Sequence, residues 1–202
     1  MATNSNRERA AAIQQAHSNR AEQIRSRTEL TNAAKVGMLA RNHTDAKASM
    51  RDLQQQATDD TTVQRRTMSQ RAFGVAGVPG DAATVAVSMR DAQDRVAALS
   101  SGREAVALLA RAETSGDEVL ARAVAAHAFD QATAQGGISG LDDDWSTVVN
   151  DFADTRPAAA DALRTLIKLN SPDPSWTYVV PAPPELHGIP SAQLDTLADS
   201  AA

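Results

Sequence analysis

"REAVALLARAETSGDEVLARAVAAHAFDQ" (Arg103–Gln131) decides the fold class. Its first half sets Ala105, Val106 and Leu109 on one side of a helix. Its second half is apolar nearly all round, with Leu120, Ala123, Val124 and Ala128 on one broad face, as in a helix enclosed by neighbours. Between them "TSGD" (Thr114–Asp117) leaves room for one tight turn, and helices joined so closely lie antiparallel. Upstream, "FGVAGVPGDAA" (Phe73–Ala83) interrupts the chain with three glycines and a proline, then offers Asp81 as an N-cap for a helix running to about Leu99. "SSG" (Ser100–Gly102) is a further turn. Downstream, "GGISGLDDDW" (Gly136–Trp145) breaks the pattern again before two more helices, "WSTVVNDFADT" and "RPAAADALRTLIKLN". The second has Pro157 in its first turn and a stripe of Leu163, Leu166 and Ile167.

His127 is the one histidine of this region, and its chemistry is tested by its neighbours. A helical metal site wants a second ligand four residues on, where Gln131 stands. Catalysis wants a nucleophile or a second carboxylate, and Asp130 alone is near. His127 therefore reads as a core residue with a hydrogen-bond partner. The run of Asp142, Asp143 and Asp144 lacks the alternating ligands, the central glycine and the closing glutamate of a calcium loop, and reads as helix-start acids. The glycines of "FGVAGVPGDAA" have no strand before them and no Lys-Ser/Thr after, so they mark a hinge and not a phosphate cradle. No G-x-S-x-G elbow accompanies the serines. No catalytic residue, cofactor, metal or small-molecule substrate is expected.

The 202 residues contain no cysteine, which removes disulfides, thiolate metal sites and thiol nucleophiles. The opening residues show no signal-peptide core, and no apolar run reaches the ~20 residues of a membrane span. The expectation is a soluble protein in the cytoplasm of the producing cell or carried in a virion, with no membrane partner. The net charge of −5 is divided: residues 1–72 hold twelve basic and seven acidic side chains, and residues 73–202 hold eight and eighteen.

From Asn4 to Gln70 there is one glycine, Gly37, and no proline, and helix formers predominate. The apolar residues are sparse, and lysine, threonine and asparagine fall where a heptad seam should be apolar, so an autonomous coiled coil is not specified. One continuous helix would extend roughly 100 Å, so the segment must project, fold back near Gly37 or Thr58–Thr62, or await a partner. Its arginines are dispersed among acids without interleaved aromatics, so nucleic acid is not the expected partner. The tail, "SPDPSWTYVVPAPPELHGIPSAQLDTLADSAA", has six prolines between Pro172 and Pro190 and a β-prone "WTYVV". It reads either as a strap on the chain's own core or as a peptide that docks on a neighbour, closing with a short helix capped by Ser191 or begun by Pro190.

The runs "LLARAETSGDEVLARAVAAHAFDQ", "WSTVVNDFADTRPAAADALRTLIKL" and "PAPPEL", spanning about residues 108–186, are similar to small helical proteins encoded among virion structural genes of actinobacterial phages and prophages. The likeness departs at "QGGISGLDDDW", where a shorter link is expected, and it omits the N-terminal segment. It implies a structural or assembly role in a phage particle and carries no functional residues. The first helix pair also resembles a tetratricopeptide unit, but a solenoid needs about three repeats and one is present.

These readings give an all-α chain. A basic, extended helical arm (1–72) leads through a hinge (73–81) to a small antiparallel helical bundle (81–170), followed by a Pro-rich strap with a short terminal helix (171–202). The expected function is non-enzymatic assembly in a phage head or neck, with other virion subunits or a second copy as partners. Ile13, Ile24, Leu39, Met50 and Leu53 on the arm and Trp176 and Tyr178 on the tail are the expected contacts. The opposite charges of the two halves point to head-to-tail self-association. The alternative is a nucleic-acid-associated or regulatory helical protein using the Arg-rich arm.

Overall fold

The computed structural model describes residues 2–134, 144–170 and 175–200, excepting the side chains of 2–4, 175 and 176. Every regular element among them is helical: α1 (Ala2–Ser26), α2 (Asn32–Phe73), α3 (Ala82–Ala97), α4 (Gly102–Ser115), α5 (Glu118–Ala134), α6 (Asp144–Asp154), α7 (Pro157–Leu169) and α8 (Ser191–Ser200). Short 3-10 turns occur at Ser175–Tyr178 and Pro184–Leu186. The β-prone "WTYVV" thus begins as a 3-10 turn, and Val179 and Val180 continue outside any strand. The chain forms two compact units, residues 1–61 with 173–202, and residues 62–172.

In the second unit α5 is the central element, touching α3, α4 and α6, while α4 also meets α6 and α6 meets α7. Its burial all round follows from its alanines: Ala121, Ala123, Ala125, Ala128 and Ala132 let neighbours approach while Leu120, Val124 and Phe129 fill the gaps. The turns are chemically specified. Asp81 accepts the Thr84 N–H, Ser101 accepts the Glu104 N–H, and the Glu104 carboxylate returns to the Ser100 N–H. Gly116 closes α4 in the left-handed conformation (φ +68°), and Asp117 then accepts the Leu120 N–H to start α5. Arg156 ties three elements together, donating to Glu113 on α4 (2.7 Å) and Glu118 on α5 (2.6 Å) while its guanidinium lies 4.4 Å from the centre of the Phe152 ring. In α7, Ala159, Ala162, Leu163 and Leu166 are buried, whereas Ile167, expected in that stripe, is 36% exposed.

The first unit corrects the expectation of an extended arm. The chain turns at residues 27–31, and α2 returns along α1: Lys35 Nζ donates to the Arg25 carbonyl (2.9 Å), Asn42 to the His17 carbonyl (3.0 Å), and Arg9 to Gln56 (3.0 Å). Gly37 and Thr58–Thr62, the expected breaks, lie inside α2. The seam between the two helices is a heptad after all. On α2 it runs through Val36, Leu39, His43, Ala46, Met50 and Leu53, at spacings alternating three and four, and on α1 through Ala10, Gln14, His17, Ala21 and Ile24. Alanine, glutamine and histidine hold seam positions, so a count of large apolar residues does not find it.

The tail completes this unit rather than strapping the helical domain. Leu186 and Ala198 join Ala21, Ile24, Leu39 and Ala40 in one buried cluster, and Val180 joins Ala10, Ala46, Met50 and Leu53 in a second. Gln14 Nε2 donates to the Val179 carbonyl (2.7 Å), and Arg25 grips the Glu185 carboxylate through two nitrogens (2.6 and 2.9 Å). This placement also removes the charge division. The tail brings four acids and no base to the basic hairpin, so the first unit carries nine basic and eleven acidic side chains and the second eleven and fourteen. With both units weakly acidic, the premise of head-to-tail attraction between a basic and an acidic half is gone.

Candidate functional site

Between the two apolar clusters of the first unit the seam changes character. His17 of α1 and His43 of α2 face each other there, each about 5% exposed, with ring centroids 5.6 Å apart and planes inclined at 55°. The turn at residues 27–31 brings them together, because positions at similar distances on either side of it meet across a helical hairpin. Neither His17 Nε2 nor His43 Nδ1 has a hydrogen-bond partner among the described residues, although both atoms are fully buried. Unpaired buried polar atoms of this kind cost about 1–3 kcal/mol each.

Burial lowers the pKa of both rings below the ordinary histidine value, since a charged imidazolium would lose its water there. The surrounding charges act the same way, Arg25 on His17, and His17 itself with Lys47 on His43. The pair is therefore neutral at pH 7, two bases held out of water in a seam that the tail borders. Sequence reasoning missed both histidines. The signal that finds them is their similar distance on either side of the polar "RTELT" turn (Arg27–Thr31), together with the seven-residue spacing of Ala10, His17 and Ile24 and of Val36, His43 and Met50.

The residues expected to hold a partner are largely internal. Ile24, Leu39, Met50 and Leu53 are each at most 2% exposed, and Ile13 and Tyr178 are half-buried against the same clusters. Their apolar surface is covered by the chain's own tail and hairpin, which corrects their assignment as free contacts. The Trp176 side chain lies outside the described residues, as do Asp142 and Asp143 of the acidic run and most of "QGGISGLDDDW".

In the second unit His127 is half-buried with its ring against Trp145 (centroids 5.5 Å, edge to face). Its Nε2 has no hydrogen-bond partner among the described residues, so its companion is an aromatic ring rather than the expected polar group. Nearby, a cleft of about 300 Å³ is lined by Ser69, Gln70, Phe73, Gly74, Ala126, Phe129 and Asp130. Burial raises the Asp130 carboxyl above its ordinary value. The cleft pairs one carboxyl with two phenyl rings. Among the described residues no three His, Asp or Glu side chains are placed to hold a metal ion, and no helix is long and apolar enough to cross a membrane.

The chain matches no known protein family, no curated protein and no solved structure.

Proposed function

We propose that the chain is a non-enzymatic structural or assembly protein that works through protein–protein contacts, in the setting of a phage particle to which its resemblance points. The observation that carries this reading is residues 54–67 of α2. They are helical, yet none of their side chains is buried, and Ala57 and Thr61 alone are even half-buried. Val63 stands 65% exposed among them. A helix of about four turns that buries none of its side chains gains little stability from packing, and its exposed surface suits a partner subunit. The contact is thereby moved from the seam residues to this exposed stretch.

The test is affinity capture of the tagged full-length protein from its producing cells, beside a Val63→Asp, Arg66→Glu variant. Both residues are exposed, so the variant leaves the two cores intact. Recovery of capsid, portal or tail subunits by the parent and their loss from the variant supports the reading. Recovery of nuclease-sensitive material whose binding falls steeply with salt overturns it in favour of a nucleic-acid role.

A further inference from the structure

The histidine layer has a property that packing alone does not require. A seam of this kind is closed most stably by apolar residues, and every other fully buried seam position of the first unit is alanine, isoleucine, leucine or methionine. Two adjacent imidazoles are instead enclosed between the clusters that hold the tail. Val180 is seated on one side of the layer and Leu186 and Ala198 on the other, so the tail passes from the first cluster to the second beside it. One turn of α1 before His17, Gln14 holds the Val179 carbonyl, and two turns after it Arg25 holds Glu185. Thr177, in the 3-10 turn that contacts α1, is buried with its hydroxyl unpartnered among the described residues. The hairpin and the tail therefore open or close together.

We infer that the His17–His43 layer makes closure of the tail on the hairpin dependent on pH, the tail being held at neutral pH and released in acid as the rings take up protons. The groups facing the pair give a protonated ring no compensation. From α1 it meets Arg25, from α2 Lys47, and each ring meets the other, all of one sign. The tail's nearest acid in sequence, Glu185, is already engaged by Arg25, and residues 175–180 bring one ionisable group, the Tyr178 phenol. In the open form both imidazoles regain water and titrate near the ordinary value of about 6.5.

The sign follows from which state binds protons. Because the closed form has the lower pKa values, the open form holds more protons from about pH 6.5 downward, and closure weakens as pH falls. With two protons taken up, the ratio of open to closed chains approaches a 100-fold rise per pH unit in the window between the two sets of pKa values. Release exposes Leu186, Ile189, Leu194 and Leu197, the apolar side of the tail, together with the seam that they cover. This inference does not rest on the assembly role and survives if that role fails.

The chain has no cysteine, so a distance can be read in the full-length protein with two added ones. Asn19→Cys on α1 and Gln193→Cys on α8 are exposed positions for a spin-label or dye pair. One short distance is expected at pH 7.5, with a longer component growing steeply between pH 6.5 and 5. The same pair in a His17→Leu, His43→Leu background is expected to stay short over that range. Should that background fail to fold, ring NMR of the parent decides. The signals of His17 and His43 should stay neutral until the distance lengthens and then change with it. A distance that does not change down to pH 5 overturns the inference, and so do His17 and His43 ring signals that become protonated with the distance unchanged.

Discussion

Gly102→Ala opposes two effects of opposite sign at one position, and the structure says which wins. Gly102 is the first residue of α4, where alanine would ordinarily stabilise a helix by about 0.5–1 kcal/mol by restricting the unfolded chain. A methyl group built there, however, meets Asp144 Cβ at 2.5 Å, the Asp144 carbonyl carbon at 2.7 Å and the Trp145 nitrogen at 2.7 Å. Ordinary carbon contacts lie near ~3.5–4.0 Å, so the starts of α4 and α6 must part by about 1 Å. Two of the three obstacles are backbone atoms, which no rotamer change can move aside. Trp145 and Val148 are buried just beyond them, so parting the helices also loosens the core. Overpacking of this kind costs about 1–3 kcal/mol, and the upper end applies where backbone must move. The net effect is a loss of about 2 kcal/mol, or about 8 °C in Tm for a domain of about a hundred residues. Thermal melts followed by near-ultraviolet dichroism of the aromatic core would measure it. A Tm that is unchanged or higher would refute the reasoning, since the helix-propensity gain would then have outweighed a contact that cannot be as close as described.

Three further outcomes follow from named contacts. Arg156→Met should cost the second unit about 1–2 kcal/mol in urea unfolding, because Glu118 keeps Arg122 as a partner and both Glu113 and Glu118 reach solvent, which holds the loss below that of a fully buried pair. Glu185 has its carboxyl pulled down to about 2 by the Arg25 guanidinium. The stability it gives the tail is therefore present above about pH 4.5 and is lost as pH falls toward 2, and Glu185→Gln should abolish that acid-sensitive phase in tail amide exchange. Leu39→Ala, at 1% exposure in the small cluster that seats Leu186 and Ala198, should cost about 2–5 kcal/mol and raise exchange in α8 and the α1–α2 hairpin together. An Arg156 variant as stable as the parent, an unaltered acid phase in the Glu185 variant, or hairpin exchange that leaves α8 untouched would each break the corresponding link.

The helical class was legible because local chemistry and tertiary role agree over residues 81–134. Asp81, Ser101, Gly116 and Asp117 stop and start helices by hydrogen bonds that reach no further than four residues, and α5 announces its central place by being apolar all round. Ile167 falls outside the stripe because the buried face of α7 runs through Ala159, Ala162, Leu163 and Leu166, and the helical turn sets Ile167 at the far edge of that face. The first unit was far less legible. Its breaker was sought in glycine, yet Gly37 lies buried within α2, and the reversal at residues 27–31 uses charged and threonine side chains with no glycine or proline. The tail's destination depends on pairings 160 residues away in sequence, such as Arg25 with Glu185, which no local pattern encodes.

The histidine pair shows why a seam can be hidden and still be specific. Large apolar residues at every heptad position would have declared a coiled coil and closed it firmly at any pH. With Ala10, Ala21 and Ala46 the helices come close but bury little area, so the hairpin depends on the tail for the remainder of its core. Into that marginal seam the chain introduces two unpaired imidazoles, which subtract from its stability at neutral pH. Replacing both by leucine removes the unpaired nitrogens and adds apolar area, so the double variant should unfold at higher urea than the parent at pH 7.5, by an amount equivalent to about 1–3 kcal/mol. The difference between the two proteins should widen as pH falls through 6.5, because only the parent has rings to protonate in the open state. Equilibrium unfolding of both proteins at pH 7.5 and 5.5 gives the four values needed. A gap that is the same at the two pH values would mean that the histidines are passive filler, and the seam's weakness would then have to be traced to its alanines alone.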